Sequence, residues 1–141
     1  MATFLLKSEP TEYAYADLVR EKKACWTGVA NAQALAQLRS MRKGDVAFIY
    51  HTGDEKAIVG LAKAVSNPYE DPKQPGTNDA GAPKFAVIDL APVKQARTPV
   101  TLAAIKADKR FADFALVKQS RLSVMAVPEA LATILRGLAG L

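Results

Sequence analysis

Apolar and polar residues follow two periods along this chain, and the places where the period switches divide it into short strands and short helices. Phe4 to Lys7 reads as an opening strand closed by Pro10. Thr11 starts a segment in which Tyr13, Leu18 and Val19 share one side of a short helix. Asn31 has the chemistry of an N-cap. Ala32, Leu35, Leu38 and Met41 follow at helical spacing, and that helix is expected to stop before Gly44. Asp45 to Thr52 and Ala57 to Val65 are rich in β-branched and aromatic residues and flank Gly53-Asp54-Glu55-Lys56, the pattern of a hairpin. In the first of these strands Val46, Phe48 and Tyr50 fall on one face and Ala47, Ile49 and His51 on the other. Tyr50 and His51 are therefore not both expected to face the core.

Residues 66–83 contain four of the eight prolines and no apolar periodicity. A connection of that length is expected to be a functional flap or an insertion without fixed structure. Beyond it, Lys84 to Val93 reads as a strand, and Pro99 with Thr101 opens a short helix through Ile105 and Lys106. Phe111 to Leu116 adds a turn or two, and Arg121 to Val127 alternates as a strand. Pro128 begins a last helix through Leu138, with Leu131, Ile134, Leu135 and Leu138 at core spacing. This order predicts an α+β chain: a small, mainly antiparallel β-barrel with short helices around it.

Composition narrows the picture. The 141 residues fit one domain, residues 1–141, and half of them are hydrophobic, enough for a real core. The longest apolar run, Val46 to Tyr50, is far shorter than the ~20 residues of a membrane-spanning helix, so no membrane partner is expected. Met1 to Pro10 has no basic leader with a long apolar centre, which sets the expectation of a cytoplasmic protein. A single cysteine, Cys25, and a single histidine, His51, exclude an internal disulfide and the usual Cys/His zinc clusters. No metal and no cofactor is expected.

The net charge of +5 is unevenly placed. Residues 1–83 hold ten basic and ten acidic side chains, whereas residues 84–141 hold nine basic and four acidic. An excess of that kind suits an anionic partner, and nucleic acid is the commonest. An anion-facing surface is therefore expected toward residues 84–141.

No catalytic constellation is visible. A Ser-His-Asp triad would require His51 as base, and there is no nucleophile-elbow Gly-x-Ser-x-Gly, P-loop or Gly-x-Gly-x-x-Gly. The informative clusters are Lys7-Ser8-Glu9-Pro10, Trp26-Thr27-Gly28-Val29-Ala30-Asn31 and Phe48-Ile49-Tyr50-His51. An aromatic face can stack on a nucleobase, polar side chains can read its edge, and Gly28 lets backbone approach a ligand or turn tightly. The alternative is that Trp26 is a core anchor, Asn31 a helix cap and Gly28 a turn.

These strings occur in order with Leu38-Arg39-x-Met41, Gly44-Asp45-x-Ala47-Phe48-x-Tyr50-His51, Val59-Gly60, Pro99-Val100-Thr101-Leu102 and Arg121-Leu122-Ser123-Val124-Met125. Together they resemble an EVE domain, of the kind found in the thymocyte nuclear protein family. The resemblance implies a PUA-like β-barrel and a pocket for a flipped, modified base, such as 5-methylcytosine or 5-hydroxymethylcytosine, in DNA or RNA, and it implies no reaction. On that resemblance Trp26 is a wall of the pocket and Asn31 a reader beside it. Lys7, Ser8 and Glu9 stand at the end of the opening strand, with Glu9 placed to accept from an exocyclic amine. Tyr50 or His51 completes the rim, and Arg121 and Ser123 add a cation and backbone edges. Family members often carry arginine where Ala30 stands and arginine-asparagine near Leu35-Ala36, which implies weaker nucleic-acid affinity here. The tryptophan usual after the long loop is replaced near Lys84-Phe85, where Phe85 offers a stacking face. The competing class of function is a regulatory domain that binds a free nucleoside or similar planar ligand without binding a polymer.

Overall fold

A computed structural model describes all 141 residues. The elements are β1 (Thr3–Ser8), α1 (Tyr15–Glu21), β2 (Ala24–Trp26), α2 (Ala32–Ser40), β3 (Val46–His51), β4 (Ala57–Ala64), β5 (Tyr69–Glu70), β6 (Ala86–Thr101), α3 (Leu102–Ala107), α4 (Ala115–Lys118), β7 (Val124–Ala126) and α5 (Glu129–Ala139). A 3-10 turn at Lys109–Phe111 joins α3 to α4. Six strands form one curled sheet in the order β2-β6-β4-β3-β1-β7, with β5 paired to β6. Every pairing is antiparallel except β1 with β3. A parallel pair needs a crossover, and residues 9–45 supply it while carrying α1, β2 and α2.

β3 departs from the alternation expected of it, because all six of its residues are buried, Tyr50 and His51 included. The strand lies in the middle of the sheet between β1 and β4, and a bulge between Ile49 and Tyr50 breaks its register. His51 meets the resulting polar demand. Its Nε2 accepts the Tyr15 N–H at 2.9 Å, one of the backbone donors left open at the start of α1, and its Nδ1 lies 2.8 Å from Glu55 Oε1. Since Nε2 accepts, the ring proton resides on Nδ1 and is donated to Glu55. His51→Ala strands the Tyr15 N–H in the core and is expected to cost about 1–3 kcal/mol, read as a lower midpoint of chemical denaturation.

β6 is longer than the sequence suggests. The expected break between Val93 and Pro99 does not occur, because register shifts opposite Ile58/Gly60 and Leu61/Ala62 absorb Pro99 and Val93 as irregularities while the pairing with β4 continues, Pro92 itself lying opposite Ala62. Thr101 still acts as the N-cap, its hydroxyl accepting the Ala104 N–H, so α3 starts at Leu102. Three further expectations shift. Tyr13 precedes α1 and Val19 is exposed, so Tyr15 and Leu18 form the buried face of α1. The strand expected over 121–127 contracts to β7. α5 buries Ala132, Leu135 and Ala139 against β6 and β4, leaving Leu138 exposed, a rotation of the face expected from the leucine spacing alone.

The segment 66–83 is ordered. Asp71 is buried and caps the Lys73 N–H, Asn78 Oδ1 accepts from Ala80 and Ala82, and Arg39 donates to the carbonyls of Pro83 and Lys84. Phe85 packs against the core.

Candidate base-binding cleft

The sheet does not close: β2 and β7 end it and do not pair with each other. At that gap a cleft of about 680 Å³ opens, inside the 300–1,000 Å³ range of small-molecule pockets. Its walls are the end of β1 (Lys7, Ser8, Glu9), Glu12 and Tyr13 of the following turn, the whole of β2, and Thr27, Gly28 and Val29 beyond it. Glu21 and Lys23 close one end, and Ser123, just before β7, stands on the opposite lip. All lining residues but Ser123 lie within residues 7–29, in the charge-balanced part of the chain.

Each wall has a local cause. Gly28 has φ +81°, a conformation that glycine adopts without cost, and it turns the chain from β2 toward α2. Trp26 is only 8% exposed and meets Tyr13 edge-to-face, ring centroids 6.1 Å apart. The Tyr13 hydroxyl donates to Glu21 Oε1 at 2.6 Å, and burial, with that carboxylate beside it, keeps the phenol neutral. Ser8 Oγ donates to the Tyr13 carbonyl, which fixes the turn. Cys25 lies 3.2 Å from the Tyr69 hydroxyl, which donates to Asp89, so β5 braces the back of the β2 wall.

The polar groups divide by charge. Glu9 accepts from the Thr11 N–H and the hydroxyls of Thr11 and Thr52, and these bonds, the Thr11 amide first, hold its carboxyl below the usual range. It is an anion that can only accept. Lys7 donates to the Ser120 carbonyl at 2.8 Å and lies 5.8 Å from the Tyr50 ring centre; its partial burial lowers its pKa. With Glu12 and Glu21 against Lys23, acidic groups outnumber basic ones in the lining. Such a cleft favours a neutral ligand with N–H donors over a phosphate.

Of the ten residues singled out from the sequence, Lys7, Ser8, Glu9, Trp26, Gly28 and Ser123 come together here. Asn31 caps α2, its Oδ1 accepting the Ala34 N–H at 3.0 Å, and shares a separate hollow of about 290 Å³ with Arg121. Tyr50 lines a third hollow with Lys7. His51 lines none of the three, both ring nitrogens being engaged. Sequence reading missed Tyr13 as a wall, because a helical phase was assigned to it. The available signal was its position directly after Lys7-Ser8-Glu9-Pro10, where a proline turn carries the chain back across the end of β1.

The EVE domain family model matches residues 2–138. The chain belongs to the EVE domain family. Among EVE-family relatives, human thymocyte nuclear protein 1 is 32% identical over 127 residues, 73% of this chain and 55% of that protein. The chain thus spans about half the length of the curated relatives it matches. A solved structure from Rhodopseudomonas palustris is 39% identical with a TM-score of 0.88, covering 99% of this chain and 94% of the other. The human THYN1 protein in complex with 5-methylcytosine-containing DNA is 26% identical with a TM-score of 0.89, covering 99% and 98%. An ASCH protein from Zymomonas mobilis, 14% identical at a TM-score of 0.58 over 97% and 95%, shares the PUA-like fold with this EVE domain.

Proposed function

We propose that this EVE domain binds a modified nucleobase in nucleic acid, with modified cytosine in DNA as its first ligand, and that it catalyses no reaction on it. The cleft between β2 and the end of β1 carries the reading, supported by the likeness to a human protein whose structure holds 5-methylcytosine-containing DNA. A base inside a duplex cannot reach such a cleft, so it must be flipped out, at a cost of a few kcal/mol. Stacking on Trp26 returns about 1–3 kcal/mol. A hydrogen bond from the cytosine exocyclic amine to the Glu9 carboxylate adds about 1.5–3 kcal/mol. Together the two gains match the cost of flipping. The Val29 side chain and the Thr27 methyl, on the same wall as Trp26, provide apolar contact for a 5-methyl group. Binding without turnover accords with the local chemistry: Ser8 is committed to the Tyr13 carbonyl, and His51 stands outside the cleft with both nitrogens occupied.

Trp26 is the only tryptophan, so its emission reports a stacked base directly. The test is titration with oligonucleotides that contain 5-methylcytosine, 5-hydroxymethylcytosine or unmodified cytosine, and with the free nucleosides, at two salt concentrations. Quenching by modified oligonucleotides that weakens with salt is the expected result. Quenching by free nucleosides alone would replace the polymer reader with a nucleoside-binding domain, and no quenching by any of them would sink both.

A further inference from the structure

Beside the cleft lies a hollow of about 280 Å³ whose lining includes Lys7, Lys56 and Lys106, together with Thr52 and Ser120. No carboxylate lines it, and none of the three lysines takes part in an ion pair. Glu9 lies behind the Thr52–Gly53 edge of the hollow, its carboxylate accepting from Thr11 and Thr52 and turned toward the cleft lining rather than paired with any of the three lysines. The Ser120 hydroxyl makes no hydrogen bond within the protein, and its carbonyl holds the Lys7 ammonium. Three lysines from three separate elements thus line one hollow, and none of them is paired with a carboxylate. Such a cluster of like charges raises the local positive potential and attracts an anion.

The conformation of Lys56 points the same way. Its φ is +45°, a left-handed backbone at a turn position where glycine would be free of strain, and its carbonyl is tied to the Leu102 N–H at 2.8 Å. Lysine at this position places a cation in the lining of the hollow at the cost of a left-handed backbone. Lys7 lines both this hollow and the cleft, so the two spaces adjoin through one side chain.

We propose that the three-lysine hollow holds a backbone phosphate of the strand whose base enters the cleft. This rests on the base-binding reading above and extends it with a division of labour: the acidic cleft takes the neutral base, and the lysine hollow takes the charge beside it. The hollow is small, as befits a phosphate group. Lys106 comes from the basic C-terminal part of the chain, whereas Lys7 and Lys56 come from the balanced part, so this phosphate site draws on both.

The test uses Lys56→Gln with Lys106→Gln, leaving Lys7 intact because it also lines the cleft. Oligonucleotide affinity is expected to fall tenfold or more at low salt, and the slope of log K against log salt to decrease by about 2, equally for modified and unmodified strands. Affinity for the free modified nucleoside, read from Trp26, is expected to stay unchanged. In an amide-shift titration, inorganic phosphate is expected to move Lys56, Lys106 and Ser120 in the wild type and not in the variant. Lys56→Gly is expected to raise Tm while weakening oligonucleotide binding, opposite signs that a purely structural lysine would not give. An unchanged salt slope, or phosphate shifts outside the hollow, overturns the proposal even if modified bases remain preferred. Phosphate binding without any oligonucleotide binding assigns the hollow to a free anion and likewise overturns it. A reduced slope with no preference between modified and unmodified strands keeps the phosphate site and removes the base-reading function instead.

Discussion

Trp26→Ala is expected to abolish base binding and to cost about 3–5 kcal/mol of stability. Both effects follow from one position. The indole ends β2, pairs opposite Ile88 on β6, belongs to the continuous core and also forms a wall of the cleft. Its removal leaves a cavity and takes the edge-to-face partner from Tyr13, which loosens the turn that Ser8 holds. Domains of this size have about 5–15 kcal/mol of stability, so the variant should fold at low temperature and unfold well below the wild type. Binding must then be followed by anisotropy of a labelled oligonucleotide, since the intrinsic fluorophore is gone. Trp26→Phe separates the two roles: it refills most of the core volume, so stability should largely return, while the smaller stacking surface leaves affinity reduced. Full binding by a folded Trp26→Ala protein would show that the indole is core alone and that the base, if any, stacks elsewhere.

The second large effect is expected at a residue far from any ligand. Gly60 lies on β4 beneath the buried ring of Tyr15, and a Cβ there would sit 2.5 Å from two atoms of that ring. Backbone strain is not involved; the position is glycine because an aromatic ring lies on it. Tyr15 cannot retreat cheaply, since its hydroxyl donates to the Leu61 carbonyl at 2.7 Å and its N–H is held by His51. Gly60→Ala therefore combines overpacking with a broken buried hydrogen bond, about 2–4 kcal/mol together, or roughly a 10 °C fall in Tm. The coupling has a clear signature. Combined with Tyr15→Ala, which makes room, Gly60→Ala should cost much less than it does alone, a non-additivity that a double-mutant cycle measures directly. A Gly60→Ala protein as stable as the wild type would mean that α1 shifts freely over the sheet. Because Tyr13 immediately precedes α1, such a shift would carry the cleft wall with it.

Legibility in the sequence tracked how local each cause was. Asn31 and Thr101 were readable as helix caps because a cap needs only its own side chain and an amide three residues on, and both bonds form. The hairpin around residues 53–56 and the arrest of α2 before Gly44 were readable for the same reason. Errors arose where a distant element overrode a local pattern. β3 alternates in sequence but is covered on both faces, so His51 became an internal hydrogen-bond hub. The strand read as ending at Val93, with Pro99 opening the next helix, yet irregular pairing opposite β4 carried β6 on to Thr101. The four leucine and isoleucine positions of α5 suggested one face, whereas the sheet accepted the smaller face centred on Ala132, Leu135 and Ala139.

The same division holds for the candidate site. The chain by itself determined the ingredients: one tryptophan beside a glycine, an anionic and a cationic residue at the end of the first strand, neutral charge in the first 83 residues and a basic remainder. Periodicity, capping and composition act over a few residues and survive in a one-dimensional string. Only the tertiary structure decided which ingredients meet. The unclosed gap between β2 and β7 selects Lys7, Ser8, Glu9, Trp26, Gly28 and Ser123, adds Tyr13, sends Asn31 and Arg121 to another hollow, and brings Lys7, Lys56 and Lys106 together. Those groupings depend on the curl of the sheet and on which of its edges stay unpaired, properties of long-range packing that no local stretch of sequence encodes.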